Sequence, residues 1–172
     1  MWSHIVNAAN SVARQLKHSV PNINYGGCAV FAVSMAEICR LYGMECSLRV
    51  LSSDEEAGAF MDNYNNWKNG NEFRGYHGLS HVFAVLGDMN PTAYDTAFDA
   101  YEGAITLNQA SSNWMVLQPV AMDYQVMKKL ASNPYGWNSW FNREHIPTMR
   151  RIMKDTFERS FHRPVDFPVE FR

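Results

Sequence analysis

Apolar residues recur at helical spacing from the start of the chain, at Trp2, Ile5, Ala9, Val12 and Leu16, and the pattern breaks at Ser19-Val20-Pro21. An amphipathic packing helix is expected from Trp2 to about Lys17. A more apolar stripe then runs through Cys28, Phe31, Ala32, Met35, Ile38, Cys39 and Tyr42, with Gly43 placed to stop it. This reads as the central helix of the domain. Met44, Cys46, Leu48 and Val50 alternate with Glu45, Ser47 and Arg49, which predicts a half-buried strand over about Met44–Leu51. Ser53 followed by Glu56 matches a capping box and opens a third helix through Phe60, Met61, Tyr64 and Trp67, before a polar, glycine-rich loop from Lys68 to Gly78. Within Leu79 to Leu86, His81, Phe83 and Val85 alternate with Val82, Ala84 and Leu86, as in a strand covered on both faces with His81 near its start. The turn signal Gly87-Asp88-Met89-Asn90-Pro91 makes Ala93-Tyr94-Asp95-Thr96 its hairpin partner. Further on, Asn113 to Val120 reads as a strand and Met122 to Ala131 as a short helix. A last helix is expected from Ile146 to Phe161, with Ile146, Met149, Ile152, Met153 and Phe157 inward and Pro147 in its first turn. The fold class that follows is α+β, with the Cys28 helix packed on an antiparallel sheet.

Composition narrows the function classes. With 172 residues, 47% of them hydrophobic and 13% aromatic, the chain fills one core, and no stretch is repetitive or linker-like. One compact domain is expected. The net charge of -2 is spread along the chain, and Arg150-Arg151 and Lys154 lie among acids, which argues against a nucleic-acid-binding face. Three cysteines without a pairing or zinc spacing suit a reducing compartment. No export signal or long apolar run is visible, so the expectation is a soluble, cytoplasmic protein without membrane contact.

The candidate chemistry begins at Asn24-Tyr25-Gly26-Gly27-Cys28-Ala29-Val30-Phe31-Ala32, where two glycines deliver a thiol to a helix start. Partial positive charge from unpaired N–H groups at a helix N-terminus favours a thiolate, and the same groups receive an oxyanion. Most free cysteines are small core residues, and Cys39 and Cys46 are read that way. His81 near the start of its strand is the candidate base. With the hairpin turn centred near Met89, Asp95 faces Phe83, lies diagonal to His81 and accepts its Nδ1–H, leaving Nε2 for the thiol. Asp99 lies on the other diagonal and is the alternative acid. A one-residue slip would turn both acids away. The backbone N–H of Cys28 supplies half of an oxyanion hole, with Asn22 and Asn24 as side-chain candidates for the other half. Gly27, His77, Tyr76 and Trp67 are candidates for the cleft lining. The remaining histidines are too scattered for a metal site, and the ten methionines read as core filling.

The order helix-Cys, strand-His, strand-Asp, carried by GGCAVFA, SHVFAVLGD and AYDT, resembles the compact papain-like cysteine peptidase superfamily. The likeness is to its small single-domain members of bacteria and phages and covers about Asn22 to Thr96. It implies Cys28 as nucleophile, His81 as general base and Asp95 as third member, with hydrolysis or transfer at a peptide, isopeptide or side-chain amide bond. It also implies no metal or organic cofactor, and a protein or peptide substrate, a host protein in the case of a phage enzyme. Residues 1–172 then form a single papain-like domain with a catalytic core at about 20–100 and a helical C-terminal extension at about 121–172. Two features depart from larger relatives: Asn22 stands six residues before Cys28 in place of a glutamine, and Ala29 follows it in place of a tryptophan. Asn138-Ser139-Trp140 copies a papain triplet but lies far from His81 and reads as chance. Two alternatives stay open, a peptidoglycan peptidase or amidase of CHAP or NlpC type and a catalytically silent papain-fold binding protein.

Overall fold

The computed structural model describes residues 2–24, 27–52, 81–87, 95–113, 118–122 and 141–167, together with 62, 65, 66, 69, 70 and 131. Among these, the α+β class holds. Four α-helices, α1 (Trp2–Ser19), α2 (Cys28–Leu41), α3 (Leu107–Asn113) and α4 (Ile146–Phe161), accompany five strands, β1 (Cys46–Ser52), β2 (His81–Leu86), β3 (Thr96–Asp99), β4 (Gly103–Thr106) and β5 (Gln118–Met122). The strands form one sheet in the order β4-β3-β2-β1-β5, and every pairing is antiparallel.

The helices follow their sequence patterns closely. Ile5, Ala9, Val12 and Leu16 of α1 are buried, as are Met149, Met153 and Phe157 of α4. Pro147 stands in the first turn of α4, where its missing N–H costs no helical bond. α2 ends as its glycine suggests. Gly43 has φ 73, Gly43 N–H donates to Arg40 O at 3.0 Å and Met44 N–H to Cys39 O at 2.8 Å, the paired bonds of a Schellman cap. Cys28 to Cys39 of α2 are all buried, including Ser34 and Glu37. That burial is possible because Arg150 of α4 reaches across, its Nε donating to Ser34 Oγ at 3.1 Å and its Nη2 pairing with Glu37 Oε2 at 3.2 Å. The guanidinium also lies 4.5 Å from the ring centre of Phe167. The C-terminal helix is therefore part of the same core as α2.

The strands depart further from their patterns. β1 is buried on both faces, because Ser47 and Arg49 are inside along with Leu48. Ser47 and Arg49 stand opposite Val85 and Phe83, on the face that the second cluster covers, where the alternation of β1 implied solvent. β2 is buried at all six positions. Val82, Ala84 and Leu86 pack with Phe98 and α2 in the main core, while Phe83, Val85 and Ala97 meet Leu107 and Ala110 of α3 in a second cluster. Among the described residues the partner of β2 is Thr96–Asp99; of the expected strand Ala93–Thr96, Asp95 is a bend and Ala93 and Tyr94 lie outside the described residues, and β4 and α3 follow where no element was expected. Asn113 ends α3, and β5 begins only at Gln118. Pro119 is compatible with β5 because that strand lies at an edge of the sheet. Of the helix expected from Ser53 to Trp67, Asp62, Asn65 and Asn66 are described and are helical. In the loop expected from Lys68 to Gly78, Asn69 and Gly70 are described and form a turn; the rest of that loop and of the Ser53–Trp67 helix, the Asn138-Ser139-Trp140 triplet and, apart from Met122 in β5 and the helical Ala131, the Met122–Ala131 helix lie outside the described residues.

Candidate active site

Cys28 is the first residue of α2, after Gly27 at the N-cap. A side chain at Gly27 would place its Cβ 2.8 Å from Ile23 O and 2.8 Å from a ring carbon of Phe141, closer than packed atoms approach. Glycine is thus required for the chain to enter α2 beneath Phe141. Gly27 N–H donates to Ile23 O at 2.8 Å, and the first bond of the helix runs from Phe31 N–H to Gly27 O at 3.1 Å. The N–H groups of Cys28, Ala29 and Val30 therefore have no acceptor within the helix. The thiol they surround is 4% exposed as a residue.

His81 opens β2 and is 1% exposed. Its ring meets Phe83 edge-on at 4.3 Å between centroids, which fixes its tilt. Nε2 lies 3.0 Å from Oδ1 of Asp99, which is 2% exposed, and Cys28 is near enough for a thiolate charge there to act on the imidazole. Asp99, the alternative acid, is therefore the residue that the structure joins to His81.

The correction is one of register. A turn centred near Met89 pairs Phe83 with Asp95, whereas the observed pairs are Ala84 with Phe98 and Val85 with Ala97. One step further along this register brings Asp99 opposite Phe83, diagonal to His81, and Asp95 falls opposite Gly87 at the far end of β2. The slide is an even number of residues, so the acids keep their face while exchanging places. Asp95 is half-buried before β3, where its carbonyl accepts from Leu107 N–H at 2.8 Å. The ring nitrogens are also exchanged relative to expectation. Diagonal neighbours stand about 7–8 Å apart, and it is the distal Nε2 that spans this distance to the acid, leaving Nδ1 on the side away from the carboxylate.

Asp99 accepts from more than His81. Its Oδ2 takes the N–H groups of Tyr101 and Glu102, both at 2.9 Å, and closes the β3–β4 turn. Asn24 Nδ2 lies 3.3 Å from each carboxylate oxygen. Asn24, expected as an oxyanion donor, thus has its amide nitrogen committed to Asp99, and among the described residues its buried Oδ1 has no hydrogen-bond partner. Asn22, the other candidate, is exposed with φ 60 in the turn after α1, a conformation that asparagine tolerates. Sequence reasoning missed Tyr101, whose hydroxyl donates to Val20 O and accepts from Ile23 N–H. This hydroxyl ties the segment leading to Cys28 to the turn that holds Asp99. No local periodicity signals such a contact. His77, Tyr76 and Trp67 lie outside the described residues.

Electrostatics favour the charged forms of His81 and Asp99. Burial works against protonated His81 but is outweighed by the charge of a Cys28 thiolate and the hydrogen bond to Asp99, with smaller contributions from the Cys28 hydrogen bond and the Asp99 charge, so the imidazole is pushed up from 6.5 to about 9. Burial likewise opposes ionised Asp99, yet the hydrogen bond and charge of His81 and the two turn N–H groups hold it below the usual carboxylate range. The raised histidine stabilises the fold fully below about pH 6.5, and that contribution is lost as pH rises through about 9. An NMR titration of His81 should accordingly show a midpoint near 9, and Cys28→Ala should move it down because the thiolate is gone. An unchanged midpoint would separate His81 from Cys28.

Among the described residues no three His, Cys, Asp or Glu side chains gather as a metal site, and no helix is long and apolar enough to cross a membrane. No family model, curated protein or solved structure matches the chain.

Proposed function

We propose that this protein is a papain-like cysteine hydrolase that cleaves or transfers at a peptide, isopeptide or side-chain amide bond, with Cys28 as nucleophile, His81 as acid and base, and Asp99 orienting the imidazole. The observation that carries the reading is the buried His81 Nε2–Asp99 Oδ1 pair at 3.0 Å, with the buried Cys28 thiol at a helix start near enough to act electrostatically on the imidazole. A nucleophile, a base within reach and a third group that orients the base are the three parts of acyl-transfer catalysis.

In this reading the Cys28 thiolate attacks the carbonyl carbon of the substrate, and the oxyanion forms against the free N–H groups at the start of α2. The C–N bond breaks as imidazolium at His81 gives its proton to the leaving amine, and an acyl thioester remains on Cys28. Neutral His81 then takes a proton from water, whose oxygen attacks the thioester. The acid leaves, and thiolate and imidazolium are restored. Asp99 remains ionised throughout and holds the Nε2–H.

Burial of Cys28 and His81 supports a second reading, a catalytically silent papain-fold protein that holds a partner in its cleft. Iodoacetamide labelling at neutral pH, followed by peptide mass spectrometry, separates the two. The enzyme reading expects Cys28 to label at least tenfold faster than Cys39 or Cys46, and His81→Ala to abolish that advantage. Equal labelling of all three thiols in the folded protein would favour the silent reading. Digestion of purified peptidoglycan tests the wall-hydrolase alternative.

A further inference from the structure

Helix α2 carries sulfur near both ends. Eleven residues on from Cys28, about 16 Å along the helix, Cys39 is fully buried, and Cys46 at the start of β1 is half-buried. The Schellman turn between them folds the chain back through the bond from Met44 N–H to Cys39 O. Cys46 packs against the core cluster that contains Cys39, the two thiols are near enough to act on each other, and Cys46 Sγ lies 3.9 Å from Ser47 O. Cys46 lines an open cavity of about 420 Å³ with Arg40, Gly43, Met44, Glu45 and Gly87. One sulfur is therefore reachable from solvent, and the other sits behind it in the core. An attacking thiol and a resolving thiol need that arrangement.

We infer that Cys39 and Cys46 are a modification site, forming an intramolecular disulfide by exchange with a low-molecular-weight disulfide, such as oxidised glutathione, that enters through this cavity. The Cys46 thiolate attacks one sulfur of glutathione disulfide. That S–S bond breaks, one glutathione leaves as its thiol carrying the proton that Cys46 gave up, and a mixed disulfide remains. Cys39 then loses its proton, attacks the Cys46 sulfur and expels the second glutathione, which takes up that proton. Two protein thiols are oxidised, and one glutathione disulfide is reduced to two thiols. The contact with Cys46, and then burial, push the Cys39 thiol up, which reserves it for the resolving step. The bond closes the loop from Cys39 to Cys46 and staples the end of α2 to β1. It does not involve Cys28 and is independent of the function proposed above.

The test incubates the reduced protein with oxidised glutathione, blocks free thiols with N-ethylmaleimide under denaturing conditions and maps tryptic peptides. Cleavage after Arg40 places Cys39 and Cys46 on different peptides, so the disulfide appears as a cross-linked pair two hydrogens lighter than its parts. Fragmentation distinguishes Cys39 from Cys28, which shares its peptide. The expected result is a Cys39–Cys46 link without retained glutathione and a rise in Tm of about 5 °C. Cys39→Ala should instead retain glutathione on Cys46 and show no such rise. Should that buried variant fail to fold, Cys46→Ser must likewise lose the oxidation-dependent rise. Persistence of a Cys46–glutathione adduct in the wild type with Cys39 still alkylatable, or the absence of any oxidation at the pair, would overturn the proposal.

Discussion

Asp99→Asn is expected to slow turnover of an amide or activated-ester substrate by about 10²–10⁴-fold, the range that a positioned acid-base group contributes, whereas Asp95→Asn should change it less than fivefold. The asymmetry follows from the number of donors at each acid. The two oxygens of Asp99 receive His81 Nε2, the N–H groups of Tyr101 and Glu102, and Asn24 Nδ2. Asparagine offers one acceptor oxygen, so in either orientation its NH₂ group confronts a donor, and the imidazole loses its partner or the turn loses its closure. The negative charge that helps to hold His81 protonated is removed as well. Rates should be read beside the far-UV circular dichroism and Tm of each variant, because Asp99 also closes the β3–β4 turn. Full activity in a folded Asp99→Asn protein, or a larger loss from Asp95→Asn, would remove Asp99 from the relay.

A different part of the molecule should dominate stability. Arg150→Ala is expected to cost about 3–5 kcal/mol, because it leaves the Glu37 carboxylate in the core without its cation. Ser34 Oγ loses its donor at the same time, and Phe167 loses the guanidinium stacked against it. Exposed ion pairs are worth far less, and Lys154→Ala, which removes the pair with Glu158 at 2.6 Å and the bond to Val165 O at 2.7 Å, should cost much less than Arg150→Ala. Replacing both charges, as in Glu37→Leu with Arg150→Met, should recover most of the loss, since an apolar pair needs no compensating charge. Urea unfolding of the four proteins distinguishes these outcomes. A cost below 1 kcal/mol for Arg150→Ala would mean that water or another group relieves Glu37.

Much of this organisation was legible without coordinates, and the parts that were not share a cause. The apolar stripe from Cys28 to Tyr42, the glycine before it and the glycine after it placed α2 and its thiol, because helix limits depend on residues within one turn. The apolar run after His81 placed that residue in a strand buried on both faces for the same local reason. The four-residue slide that exchanged Asp95 for Asp99 was beyond such reasoning, since a hairpin register is set by the whole connection from Gly87 to Asp95 and by what β4 and α3 pack against. The sequence by itself determined where α1, α2 and α4 run and which of their residues turn to the core, because side-chain period is a property of the local backbone. Only the tertiary structure decided which acid meets His81, that Arg150 makes room for Glu37 in the core, and that Tyr101 ties the segment before Cys28 to the turn that holds Asp99. Each of these joins residues far apart in the chain, and the free energy that selects such contacts comes from burial and hydrogen bonding that exist only once the elements have packed.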